Sequence, residues 1–170
     1  IIGSGSNAAY YTGKKIVPNN YGMGYILADE GSTNWLAKQI LRDFLTDSMP
    51  VGIREKLMHK HNLDRKTILD RVYYHPNPNI FLTSFADFIF ENKDEPYMSS
   101  YIKKGLDLYV KTYLVPLAEN YPDVPCNFTG SVANNYADWL REIGANHGLN
   151  IGSIIREPVQ NLVKYYINKN

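Results

Sequence analysis

The sequence predicts an α/β domain: a mixed sheet flanked by helices and interrupted by a long helical insertion. Three observations lead there. Short apolar runs broken by Gly and Asn open the chain, helical periodicity dominates from about residue 49 to 121, and a strand–helix–strand–helix alternation closes it. Alternation of that kind implies parallel or mixed strands covered by helices. The 170 residues, 44% hydrophobic and 21% charged, suit one globular domain with its own core. A net charge of +1 gives no reason to expect nucleic acid or an anionic membrane as partner. No apolar run approaches the roughly 20 residues that a membrane helix needs, and no signal peptide is evident. The single cysteine, Cys126, excludes an internal disulfide and fits a reducing, cytoplasmic setting.

The elements follow in order. Ile1-Ile2-Gly3 reads as the end of a strand already under way, so a preceding domain is expected in the natural protein. Ala8 to Tyr11 and Lys15 to Pro18 form a hairpin around Thr12-Gly13-Lys14, and Tyr25-Ile26-Leu27 is a third short strand. Ser32 caps a helix running to about Asp47, with Leu36, Ile40 and Phe44 on one stripe. Residues 49–121 form the helical insertion. Its helices are Ile53 to Asn62, one capped by Asp64, Phe81 to Asn92 after the breaker run His75-Pro76-Asn77-Pro78, and Tyr97 to Asn120. Pro116 is expected to kink or break the last of these. Pro125 to Thr129 is a strand leading into Gly130, and a helix follows through Val132, Tyr136, Leu140 and Ile143, ended by Gly144 or Gly148. Asn150 to Arg156 is another strand, and Pro158 opens a closing helix from Val159 to Ile167. The order βββα, insertion, βαβα is that of an RNase H-like fold.

Three segments carry candidate chemistry. The loop Gly3-Ser4-Gly5-Ser6-Asn7 follows a strand; its glycines let backbone N–H groups converge on an anion, and its hydroxyls add donors. It is not a Walker loop, because no Gly-Lys-Ser/Thr follows. A tight Gly/Ser turn is the alternative reading. Tyr21-Gly22-Met23-Gly24-Tyr25-Ile26-Leu27-Ala28-Asp29-Glu30-Gly31-Ser32 places two carboxylates just before a helix. They either complement the helix dipole or accept hydrogen bonds from a hydroxylated ligand. Thr129-Gly130-Ser131-Val132-Ala133 joins a strand to a helix, where glycine permits close approach of a ligand or simply makes the turn. His59 and His61, two apart on one helix, face different ways and make no metal pair. His147 near a helix end reads as a partner of the dipole, most tyrosines read as packing, and the sequon at Asn127 is read as fortuitous.

Order and spacing together resemble the second half of the N-acetylglucosamine kinase group, within the BadF/BadG/BcrA/BcrD ATPase family of actin-like ATPases. Ile2-Gly3-Ser4-Gly5-Ser6-Asn7 is similar to that family's Gly-Thr-Gly-Ser-Asn loop, with Ser4 keeping the hydroxyl of Thr. Ala28-Asp29-Glu30-Gly31-Ser32 resembles Gly-Asp-Glu-Gly-Ser, with Ala28 for Gly, and Trp35 sits where an aromatic often follows. Gly130-Ser131-Val132-Ala133 is similar to the Gly-Gly-Val adenosine motif, with Ser131 for the second Gly.

The resemblance spans the whole chain and implies the C-terminal lobe of a two-lobe, actin-like kinase that phosphorylates N-acetylglucosamine or a related amino sugar with ATP and Mg²⁺. It implies an ATP and phosphate site at Gly3, Ser4, Gly5, Ser6, Gly130 and Ser131, and a sugar grip at Asn7, Asp29 and Glu30. The catalytic base is expected in the N-terminal lobe, which is not in this chain, so none is assigned here and the chain alone is expected to be inactive. Partners are then the amino sugar and that other lobe; the oligomeric state stays open, a homodimer included. A non-catalytic sugar-sensing or interaction module of the same fold, or a BadF-type ATPase of other function, is kept as the alternative. An iron–sulfur ATPase activator of the same broad family is disfavoured by the single Cys126.

Overall fold

A computed structural model describes residues 1–167. The element order is α1 (Gly24–Leu27), α2 (Thr33–Leu45), α3 (Val51–His61), α4 (Arg65–Tyr73), α5 (Pro78–Thr83), α6 (Ala86–Glu91), α7 (Pro96–Tyr109), a π-helical turn (Val110–Leu114), α8 (Val115–Asn120), β1 (Cys126–Thr129), α9 (Ser131–Asn135), α10 (Ala137–Asn146), β2 (Ile151–Ile155) and α11 (Val159–Ile167).

The sheet is smaller than the sequence predicts. Among the described residues it consists of β1 and β2, paired parallel with Phe128 opposite Ile154. On the other edge of β1, the Ile2 N–H donates to the Thr129 carbonyl at 3.0 Å. The expected hairpin is reduced to one antiparallel bridge between Tyr11 and Ile16, and Ile2 bridges back to Ser6. A strand needs a neighbour to satisfy its backbone groups. The first eighteen residues find too few partners for a continuous ladder. Tyr25-Ile26-Leu27 is not a strand: it lies in the single turn α1, entered through Gly24 at φ +76° and closed by the Ala28 N–H on the Gly24 carbonyl at 2.9 Å.

The helices match their sequence signals more closely. Ser32 caps α2 by accepting from the Trp35 N–H at 3.2 Å, and Asp64 caps α4 by accepting from Thr67 at 2.6 Å. Asn62 ends α3 in the left-handed conformation. The Phe81 to Asn92 stretch is two helices, because Pro78 starts α5 early and Ser84 closes it on the Ile80 and Phe81 carbonyls. The stretch after β1 is likewise two helices, broken at Tyr136. Pro116 does not break its helix. The ladder widens into the π-helical turn just before it, where the Val115 N–H reaches the Val110 carbonyl, and α8 then continues. A proline removes one N–H and crowds the carbonyl four residues back, and the wider turn relieves both demands.

The core joins the stripes of α2 (Leu36, Ile40, Phe44) and α7 (Ile102, Leu106, Tyr109) with Phe85 and Phe88 of the insertion and Phe128 of β1. Where α2 begins, Gly31 and Gly105 pack backbone to backbone; a Cβ on Gly31 would lie 2.9 Å from the Gly105 carbonyl oxygen. This close approach fixes the segment Asp29–Ser32 against α7.

Candidate functional site

The three motif loops meet around residues 2–7. The Gly3 carbonyl accepts from the Thr33 N–H at 2.9 Å. The Ser4 carbonyl accepts from both the Asn34 N–H at 3.2 Å and Asn34 Nδ2 at 2.8 Å. The Ser6 N–H donates to Asp29 Oδ1 at 3.0 Å, and Ser6 Oγ donates to the Glu30 carbonyl at 2.8 Å. A Cβ on Gly5 would fall 2.8 Å from Asp29 Oδ2, so the carboxylate lies directly on the glycine loop. From the other side, Gly130 follows β1 at φ +124°, and a Cβ there would collide with the Ile2 carbonyl at 2.3 Å. Both constraints require glycine at this position.

These bonds divide the loop into groups already engaged and groups left open. Gly3 N–H turns inward to the Gly5 carbonyl at 2.9 Å, and both donors of Ser6 are consumed by the Asp29–Glu30 segment. Among the described residues, the Ser4 and Gly5 amides and the Ser4 hydroxyl have no protein partner, so they are the donors available to an anion. Gly130 spends its N–H on the Ile155 carbonyl at 3.0 Å and its carbonyl on the Asn134 N–H at 3.1 Å. Its part is close packing, while Ser131, exposed at the start of α9, borders a cavity of about 450 Å³ with Phe90, Tyr136 and Arg156. A larger, mainly apolar cavity of about 920 Å³ lies between the Ala8–Val17 segment, Tyr121, β1 and β2, and reaches the loops through Asn7.

The sugar-grip candidates are also partly engaged. Asp29 adopts φ +64°, a conformation that Asp tolerates better than most side chains, and it is held there by the Ser6 amide. Asn7 Oδ1 accepts from the Ala8 N–H at 2.8 Å, leaving Nδ2 outward as a donor. Glu30 Oε2 accepts from the Tyr113 hydroxyl, and Tyr109 donates to the Asn7 carbonyl at 3.0 Å. Glu30 Oε1, Asp29 Oδ2 and Asn7 Nδ2 thus remain open among the described residues: two acceptors and a donor, suited to a polyhydroxylated ligand. Lys38 donates to the Tyr25 carbonyl behind them; burial lowers its pKa while Asp29 and Glu30 pull it up.

The two departures from the family pattern are easily accommodated. Ala28 has φ −145°, which a residue with a Cβ adopts, so glycine is not required there. Ser131 sits at the rim of its cavity and not beneath Gly130.

Tyr109, Tyr113, Asn34 and Lys38 also reach the candidate loops, and sequence reasoning did not single them out. The two tyrosines stand four apart on a helical stripe, where their rings pack on each other, with Tyr21 against Tyr113, and their hydroxyls bond to the loops. Asn34 follows a capping serine, where polar residues are routine, and its Oδ1 is buried without a partner among the described residues. Of the histidines, His61 packs on Phe85 with ring centroids 4.6 Å apart, and His147 Nε2 lies 2.8 Å from Asp107 Oδ1, linking α10 to α7. No group of three or more His, Cys, Asp or Glu among the described residues is placed to hold a metal ion, and no helix among them is long and apolar enough to cross a membrane.

No protein-family model matches the chain, and no curated protein matches it. Among solved structures, one from Porphyromonas gingivalis, described as a "putative N-acetylglucosamine kinase", superposes with a TM-score of 0.90 at 34% identity over 98% of this chain. The chain spans 58% of that protein's length. Over that overlap, the described residues share the fold of the corresponding part of that kinase-described protein.

Proposed function

We propose that this chain is the C-terminal lobe of an ATP-dependent sugar kinase that phosphorylates N-acetylglucosamine or a related amino sugar. The observation that carries the proposal is the docking of Asp29 and Glu30 onto the Gly3–Asn7 loop, which sets open phosphate donors beside open hydroxyl acceptors. The similarity to the Porphyromonas gingivalis protein agrees with it in fold.

The open Ser4 and Gly5 amides and the Ser4 hydroxyl suit phosphate oxygens, and the cavity beside Ser131, with Phe90 and Arg156 in its walls, suits the nucleoside end of ATP. Gly3, Ser6 and Gly130 shape that site from behind. Mg²⁺ supplies charge neutralisation on the phosphates when bound. The described residues offer it no protein cage, so phosphate oxygens are its natural ligands. Asn7, Asp29 and Glu30 orient the sugar. Catalysis in this class rests on positioning and charge stabilisation, and the base that takes the sugar's proton is assigned to the other lobe, outside these residues. A cytoplasmic setting, where ATP is abundant, fits this reading.

The test is ADP release by the complete natural protein with Mg²⁺-ATP and a panel of sugars. Turnover that depends on an amino sugar is expected. Sugar binding without turnover would favour the sugar-sensing alternative, ATP hydrolysis indifferent to every sugar would favour an ATPase of other function, and neither turnover nor sugar binding would end the proposal.

A further inference from the structure

The insertion reaches the proposed sugar site through two tyrosine hydroxyls four residues apart, at the place where its long helix is irregular. Tyr109 ends α7, and Tyr113 lies inside the π-helical turn Val110–Leu114. Both rings are buried, with 1% and 0% of their surface exposed, and they contact each other at 5.2 Å between centroids. Packing alone accounts for the rings but not for where the oxygens go. Tyr109 donates to the Asn7 carbonyl, and Tyr113 donates to Glu30 Oε2. Burial raises the Tyr113 pKa, and the Glu30 carboxylate raises it further, so the phenol stays protonated and remains a donor. Tyr21 closes the other side of the Tyr113 ring edge-on at 5.2 Å, which leaves the phenol little freedom to swing away.

The consequence falls on Glu30. Its backbone is tied at the carbonyl by Ser6 Oγ, and its side chain is tied at Oε2 by Tyr113. A flexible carboxylate is thereby reduced to one orientation, with Oε1 left open among the described residues. A ligand that bonds to a preset oxygen does not have to order the side chain itself, and the donor keeps Oε2 from competing for the same hydroxyl. π-helical turns in otherwise regular helices recur at functional sites, and here the turn carries the donor itself.

We propose that Tyr113 is a positioning residue for sugar recognition: it fixes Glu30 so that one carboxylate oxygen faces the sugar, while Tyr109 holds the Asn7 backbone of the same site. This rests on the proposed sugar-kinase function. Tyr113→Phe removes one oxygen and keeps the ring, so the packing with Tyr109 and Tyr21 stays. In the complete natural protein, with N-acetylglucosamine as the probe, it is expected to raise the sugar KM and the directly measured sugar Kd roughly tenfold, the usual scale for a lost hydrogen bond to a charged group. The KM for ATP should stay within about twofold, since Tyr113 touches no phosphate donor.

A double-mutant cycle with Glu30→Gln tests the route. If Tyr113 acts through Glu30, the double variant binds sugar no more weakly than Glu30→Gln alone. Tyr97→Phe serves as a control for hydroxyl loss elsewhere, because Tyr97 donates to the buried Asp43 at 3.0 Å, in a cluster that holds α7 to α2. It should lower the melting temperature and leave sugar affinity unchanged. Additive losses in the cycle, or a Tyr113→Phe variant that melts earlier but binds sugar normally, would overturn the positioning role. A wild-type protein that binds no amino sugar would overturn it together with the function on which it rests.

Discussion

At the scale of single residues, Asp29 is the clearest case. Its φ of +64° is a conformation that few side chains other than Asn and Asp adopt readily, and its Oδ1 accepts from the Ser6 amide. Asn at this position tolerates the same backbone and still offers an oxygen to Ser6, so Asp29→Asn removes charge with little change of shape. If the carboxylate grips sugar, the variant in the complete protein should show a sugar KM raised, or kcat lowered, on the order of tenfold to a hundredfold, with ATP affinity nearly unchanged. If Asp29 serves only the start of α2, the outcome is normal kinetics with stability lower by roughly 0.3–1 kcal/mol. Sugar kinetics and a melting curve on this one variant separate the two. Residue-level reading singled out Asp29, Glu30 and Asn7 as candidates because loops rich in glycine advertise themselves. It missed Tyr113 because a tyrosine on a helical stripe has the same sequence signature whether its hydroxyl is used or not.

At the scale of elements, α7 is the beam that supports the candidate loops, and the contact between Asp107 and His147 ties α10 to it. Asp107 on α7 accepts from Lys111 at 2.6 Å and meets His147 Nε2 at 2.8 Å. Burial alone would raise the Asp107 pKa, but the hydrogen bonds from Lys111 and His147 and their charges outweigh it, and the carboxyl is held below its usual 3.8. A depressed carboxylate pKa stabilises the folded state at pH above the unfolded value and loses that contribution as pH falls through the folded one. Stability measured by denaturant titration should therefore fall as pH drops below about 4. Asp107→Asn should be less stable than wild type at neutral pH and show a weaker fall in that acid window. Identical acid profiles for the two proteins would count against the link. The adjoining Pro116 shows why element boundaries are hard to read: a proline signals trouble in a helix, but a kink, a break and a widened turn all answer it, and packing around Tyr113 and Leu114 selects among them.

At the scale of the whole molecule, the candidate donors and acceptors gather at the carboxyl end of β1, where ligands collect in open α/β sheets, and the proposed function assigns the catalytic base to a second lobe. The isolated 170 residues are accordingly expected to release no ADP in a coupled assay with Mg²⁺-ATP and N-acetylglucosamine, and to bind ATP weakly. Turnover by this chain alone would show that the division of roles between two lobes is wrong.

The sequence by itself determined the helix starts at Ser32 and Asp64, the two late strands, and the loops that carry the candidate chemistry; the parallel pairing of those strands came from the fold. These depend on local causes: a capping oxygen three residues from an amide, a period of 3.6 or 2, a glycine where the backbone must turn. What only the tertiary structure decided was which of those groups stay available. Ser6 looked like a phosphate donor but spends both its donors on the Asp29–Glu30 segment, and Tyr25–Leu27 looked like a strand but found no neighbour to pair with. Tyr113, 83 residues from Glu30 along the chain, became its partner through the packing of α7 on α2 and the widened turn that follows. A hydrogen bond consumes a group regardless of how far along the chain its partner lies, and no local pattern records that distance.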